Sequence, residues 1–295
     1  MKALRPFAAA ALLLAAGCAV QTLAPDFSPP VLTPATDTGR DLVSLPPAKG
    51  RIVASVYSFR DQTGQYKPAP DSSFSTAVTQ GAGAMLVKAL SDSRWFVPVE
   101  REGLQNLLTE RRIVRALDSR PPNASADSLS GLLPASILLE GGIVAYEQNV
   151  RTGGLGVRYF GIGASQQYRT DQVTVNLRAV DIRTGRILVA VSTTKTVYSY
   201  KLSADVFRFV SFKRLLEAET GYTRNEPAQL CVRDAIESAV IHLIIMGVRE
   251  NHWALQNPAD MDAPIVKSYL DAQRAYLTRS EAELIIQDDT PRAPN

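Results

Sequence analysis

Apolar and polar positions alternate strictly from Tyr198 to Val206. Tyr198, Tyr200, Leu202, Ala204 and Val206 fall on one side, and Ser199, Lys201, Ser203 and Asp205 on the other. A return run sets Leu216, Ala218 and Tyr222 against Leu215, Glu217, Glu219 and Gly221. Side chains on a strand point to opposite faces in turn, so each run predicts a ribbon with one apolar and one polar face. Each is about nine residues long, close to the roughly 9–11 that a tilted strand needs to cross a bilayer. The segment between them, with Phe207, Arg208, Phe209, Phe212, Lys213 and Arg214, mixes aromatic and basic side chains as an interfacial tip would. A weaker partner runs from Val150 to Gln172, with a return strand short of apolar residues. On pattern alone two readings stand open: hairpins lying over a soluble core, or hairpins entering a membrane.

The rest of the chain predicts an α/β body. Arg51–Phe59 reads as a strand, and 61–75 as a loop punctuated by Gly64, Pro68 and Pro70. Ser73 or Ser75 caps a helix over Thr76–Leu90 with Val78, Ala82, Met85, Leu86 and Ala89 on its inner side. Arg94–Glu100 returns as a strand. Leu104, Leu107, Leu108 and Val114 mark a second amphipathic helix whose Arg111, Arg112 and Arg115 form a solvated face. Ile137–Glu147 and Gln166–Ile182 are strands, Asp181–Arg186 a tight turn, and Arg186–Thr196 a strand feeding the Tyr198 ribbon. Asn225-Glu226-Pro227 opens a long helix with inner stripe Val232, Ile236, Val240, Leu243 and Gly247. One more helix is expected within 258–280. The predicted division is thus body 50–149, hairpin 150–172, body hairpin 173–196, hairpin 197–223 and body helices 224–280, with a frayed tail over 281–295.

The N-terminus changes the balance between the two readings. Lys2 and Arg5 precede the apolar run Phe7–Ala16, the arrangement of a secretory signal over residues 1–17. Leu14-Ala15-Ala16-Gly17-Cys18 looks like a bacterial lipoprotein cleavage site, with Ala15 where Leu is usual, and predicts acylation of Cys18; an ordinary signal peptide is the alternative. Several acyl chains on one residue anchor firmly, and Ala19 after the cysteine resembles sorting to the outer membrane. Residues 18–49, rich in Pro, Thr and Ala, predict an extended leader between anchor and body. Removing Lys2 and Arg5 with the signal lowers the formal charge from +3 to +1, which argues against a nucleic-acid partner. With Cys18 taken, Cys231 has no disulfide partner within the chain.

If the hairpins do enter lipid, one chain is not enough. Four strands cannot close a barrel, and an open edge in hydrocarbon leaves backbone groups unpaired at several kcal/mol each. About eight strands is the smallest barrel whose interior side chains can just fill. Several copies would therefore pool their strands, and beyond two or three copies the lumen stays wet. Lys201, Asp205, Glu217 and Glu219 would line that lumen. A lipid-facing Lys or Arg at the midplane costs about 2–4 kcal/mol, which sends Arg158 and Arg208 to the lumen or the headgroups, among the anchoring Tyr159, Phe160, Phe207 and Phe209. The rival from another class is a lipoprotein without a channel, whose body binds a periplasmic enzyme or the cell wall and keeps both hairpins on its own surface.

Catalytic chemistry finds little support. His242 and His252 lie ten apart with no Cys or Glu set for a metal. Gly154-Leu155-Gly156 and Gly161-Ile162-Gly163 lack the third glycine and following helix of a dinucleotide fingerprint. The sequence predicts neither an enzyme nor a bound cofactor or metal.

Several runs carry a family resemblance. They are Gly64-Gln65-Tyr66-Lys67-Pro68, Phe74-Ser75-Thr76-Ala77-Val78, Asp92-Ser93-Arg94-Trp95-Phe96 and Gly103-Leu104-Gln105-Asn106-Leu107-Leu108, then Arg158-Tyr159-Phe160-Gly161-Ile162-Gly163-Ala164, Val206-Phe207-Arg208-Phe209 and Asn225-Glu226-Pro227. In this order they closely resemble the CsgG family of curli secretion lipoproteins, over about residues 40–257. The resemblance implies a nonameric ring in the outer membrane. Each subunit would give two hairpins to one barrel above a periplasmic vestibule, capped by an accessory protein, that exports unfolded curli subunits without ATP. It also implies that the loop Gln65–Thr76 forms a constriction. The family's lining Tyr, Asn and Phe fall here on Ala69, Ser73 and Phe74, so a wider opening with one aromatic ring per subunit is expected. Without the resemblance, Phe74 reads as an apolar staple at the start of its helix.

Overall fold

In the computed structural model the described residues are 32–33, 35–66, 76–117, 131–153, 166–203, 206–210 and 227–275. The folded unit begins at Ala35. Its elements follow in the order α1 (Asp37–Val43), β1 (Ile52–Asp61), α2 (Ala82–Ser93), β2 (Phe96–Val99) and α3 (Leu104–Leu117). Strands β3 (Ile137–Gly153), β4 (Gln166–Asp181), β5 (Ile187–Ser203) and β6 (Val206–Val210) come next, then the long helix α4 (Pro227–Arg249). A 3-10 turn at Pro258–Asp262 leads into a last helix, α5, at 264–275.

The strands form one mixed sheet in the order β2-β1-β3-β4-β5-β6. β1 runs parallel to β2 and β3, and every later neighbour is antiparallel. The body is a mixed α+β fold, with its parallel pairing confined to β1 and its two neighbours. The inward row of β4 is Val173, Val175, Leu177 and Ala179, all buried. It meets α4, whose buried positions include Val232, Ile236, Val240 and Leu243 as the apolar stripe predicts. However, Ala235, Ala239, Ile241, Ile244 and Ile245 are buried as well. Sheet on one side and the helices α1 and α2 on the other leave α4 little solvent face, so it is apolar nearly all round.

The turn at Asp181 forms as the sequence predicts. The carboxylate of Asp181 accepts from the Arg183 N–H at 3.0 Å and the Thr184 hydroxyl at 2.7 Å, and Gly185 supplies the positive φ of 71°. These bonds hold the Asp181 carboxyl below its usual pKa, the Thr184 hydroxyl foremost.

Three expectations are corrected. The leader over 18–49 is not extended throughout: residues 37–43 are helical, because Thr36 caps the helix by accepting from the Gly39 N–H and Leu42 is buried against the body. The first amphipathic helix starts at Ala82, with Gly81 at its N-cap. Thr76 is held instead in a bridge with Tyr66, and Ala77 donates to the Gln65 carbonyl at 2.8 Å. Third, residues 206–210 are the return strand of the second hairpin rather than its tip. Val206 already pairs with Ser203, so the chain has reversed before Phe207.

Candidate functional site: the projecting strands

Among the residues whose burial is described, the outermost buried ones are Tyr146 on β3, Asp171 on β4 and Val197 on β5. The strands nevertheless continue in unbroken register, through Val150↔Arg169 and Gly153↔Gln166 in the first hairpin and Ser199↔Phe209 in the second. β4 and β5 stay paired to Tyr168↔Tyr200, so the two hairpins are joined side by side as a four-stranded ribbon. At about 3.4 Å per residue, the seven residues from Glu147 to Gly153 extend β3 by roughly 24 Å.

Both long edges of this ribbon are open among the described residues. β1 accompanies β3 as far as Asp61↔Ile143 and no further, and β6 pairs on its β5 side alone. An edge of this kind offers N–H and C=O groups to another strand.

Of the residues singled out by sequence, Lys201, Phe207, Arg208 and Phe209 fall on β5 and β6. Lys201 pairs with Phe207 and Tyr200 with Arg208, so aromatic and charged positions share rungs near the turn. Cys18, Ala69, Ser73, Phe74, Arg158, Tyr159, Phe160, Asp205, Glu217 and Glu219 lie outside the described residues. The ends of the loop that carries Ala69, Ser73 and Phe74 are joined by the Tyr66–Thr76 bridge. Gln62 also donates to the Ile143 carbonyl at 2.9 Å, tying the start of that loop to β3.

Sequence reasoning missed a set of buried polar groups at the root of the ribbon. Asp171 is fully buried, and its carboxylate accepts from the Tyr146 hydroxyl at 2.8 Å. The thiol of Cys231 donates to the Asp171 carbonyl at 3.5 Å. Lys195 on β5 pairs with Asp234, itself 7% exposed, and the Thr193 hydroxyl donates to the Ala235 carbonyl at 2.8 Å. Burial first, then the carboxyl of Asp171, pushes the Cys231 thiol well above its usual pKa, which keeps it a neutral donor. The signal was available: extending the inward row of β4 back from Val173 lands on Asp171. No group of His, Cys, Asp and Glu among the described residues is arranged to hold a metal ion, and no helix there is long and apolar enough to cross a membrane.

The fold is thus that of an α+β body carrying a ribbon of two joined hairpins whose outer edges are open among the described residues. The profile of the family "Curli production assembly/transport component CsgG" matches residues 35–273. The curli production assembly/transport component of Salmonella typhimurium is 51% identical over 262 residues, spanning 88% of this chain and 94% of that protein. Its counterpart in Escherichia coli K12 is 50% identical over 268 residues, 90% of this chain and 96% of that one. A more distant relative, the putative transcription activator protein HfaB of Caulobacter vibrioides, is 30% identical over 237 residues, 72% of this chain and 68% of that protein. Among solved structures, the PelC dodecamer of Paraburkholderia phytofirmans aligns with 71% of this chain and 91% of its own at 14% identity. Its TM-score of 0.28 is too low to inform function. This chain belongs to the CsgG family of curli production assembly/transport components.

Proposed function

We propose that this chain is one subunit of an outer-membrane channel that passes unfolded curli subunits from the periplasm to the cell surface. The observation that carries the proposal is the four-stranded ribbon with two open edges. In lipid, the β3 edge of one copy would meet the β6 edge of the next, a head-to-tail contact that closes into a ring if the rotation allows. Barrel closure then satisfies every backbone group and leaves a wet lumen. The names and the roughly half identity of the enterobacterial relatives support curli subunits as cargo.

The finer features follow from the sequence. Acylation of Cys18 holds the subunit at the outer membrane, with the α+β body in the periplasm as the wall of a vestibule for an accessory capping protein. Nine copies are the family's expected number. The Gln65–Thr76 loop forms the constriction, with Phe74 its remaining aromatic and Ala69 and Ser73 leaving a wider opening. Transport is diffusive and uses no ATP. The test is detergent extraction of the full chain, an unheated gel, and reconstitution into planar bilayers. A heat-sensitive ring-sized band with stepwise conductance supports the channel. A lone copy without conductance, soluble after Cys18→Ala and with protease-sensitive hairpins, supports an assembly factor instead.

A further inference from the structure

The buried polar groups at the ribbon root tie four elements together over three successive inward rungs of the sheet: Thr193 opposite Val175, Tyr146 and Lys195 opposite Val173, and Asp171 opposite Val197. Tyr146 belongs to β3, Asp171 to β4, Thr193 and Lys195 to β5, and Cys231, Asp234 and Ala235 to the first three turns of α4. Toward the body the next inward positions are apolar and covered, with Leu177, Ala179 and Val189 buried. Beyond Asp171 and Val197 the strands stay paired, through Tyr168↔Tyr200 and Gly153↔Gln166. Dense apolar packing is non-directional, whereas hydrogen bonds fix angle and register. The polar groups thus share the outermost buried rungs of the sheet with Val173, Val175 and Val197.

We infer that Asp171, with Tyr146 and the Lys195–Asp234 pair, is a positioning unit that sets the direction in which both hairpins leave the body and couples it to the start of α4. None of these side chains has to touch cargo. The arrangement ties β3, β4 and β5 to a helix that begins at Pro227, only 17 residues after the last described residue of β6, Val210. β5, the first strand of the second hairpin, is therefore held to α4 through Lys195 and Thr193. In a shared barrel each copy's hairpins must meet the neighbour's edge at one angle, so loosening the root broadens that angle and disturbs the lumen without dissolving the body. The functional half of this inference rests on the channel reading.

The test compares Tyr146→Phe and Asp171→Asn with Val189→Ala, a control at the covered end of β5 where Val189 is 3% exposed. Hydrogen exchange on the detergent-extracted full chain is the first readout. Tyr146→Phe is expected to speed exchange at 166–170 and 198–203 about five- to tenfold, the factor for one lost net hydrogen bond, while leaving 175–179 unchanged. Val189→Ala is expected to do the reverse. The second readout is bilayer conductance, where the two root variants split a single open level into several and the control does not. Even acceleration along the whole sheet, no acceleration, or a single quiet level in Tyr146→Phe each overturns the inference. If Asp171→Asn fails to fold, Tyr146→Phe, which removes one hydroxyl, still decides it. A wild-type preparation that conducts nothing defeats the channel reading instead, and exchange alone then decides the positioning role.

Discussion

The hydroxyl of Thr36 donates to the carboxylate of Glu237, a residue 201 positions later. The same hydroxyl accepts from the Gly39 N–H at 2.8 Å, and Arg233 Nε reaches the other carboxylate oxygen of Glu237 at 2.9 Å. One side chain thus caps α1 and fastens it to α4. Thr36→Val removes both the cap and a bond to a buried carboxylate, and should cost about 2–4 kcal/mol. Thr36→Ser should stay near wild type. Denaturant titration checks this, and equal midpoints for Thr36→Val and wild type would show that the fastening contributes nothing.

Gly247 sits under the indole of Trp253: a Cβ at this position would lie 1.9 Å from Cζ2. Trp253 has little room to retreat, since its Nε1 donates to the Ile244 carbonyl at 2.8 Å and its ring meets Phe96 edge-on at 6.3 Å. Gly247→Ala should therefore destabilise the body by about 1–3 kcal/mol through overpacking, despite alanine's better helix propensity. Thermal melting measures it; a rise in Tm would mean that the indole moves aside freely.

His242 packs edge-on against Tyr269 with ring centroids 5.2 Å apart, and burial lowers its pKa below the usual imidazole value. A base whose folded pKa is depressed is protonated first in the unfolded chain. Its contribution is intact above about pH 6.5 and is lost as pH falls from there through the folded value. Stability should accordingly decline between neutral pH and pH 5, and His242→Gln should flatten that part of the profile. Parallel profiles for both proteins would assign the acid sensitivity to other groups.

Phe74 supplies the aromatic of the proposed constriction. Phe74→Ala should raise single-channel conductance by widening the lumen and reduce secretion by removing weak, sequence-tolerant contacts to a passing chain. Recording both quantities on one preparation separates the roles. Unchanged values for both, with a lowered melting temperature, would return Phe74 to a packing role.

Much of the fold was legible because period and punctuation are local. The alternation of Val173, Val175, Leu177 and Ala179, the turn chemistry of Asp181 and Gly185, and Pro227 at the start of α4 each depend on a few neighbouring residues. The helix at Asp37–Val43 was not legible: it is seven residues long, too short to be stable alone, and it persists through Thr36, Leu42 and Glu237. The start of α2 was misplaced for a related reason, since Thr76 pairs with Tyr66 rather than opening the helix.

By itself the sequence determined the strand faces, the turn at Asp181, the long apolar helix and, through its motifs, the family. These follow from residue chemistry at short range, where side-chain period and backbone preference act directly. Tertiary structure alone decided that Val206 turns back onto Ser203, that Thr36 reaches Glu237, and that Asp171 lies buried beneath Tyr146 beside the first turns of α4. A polar residue in an inward row is tolerated only when a partner from elsewhere in the chain meets it, and no local pattern names that partner.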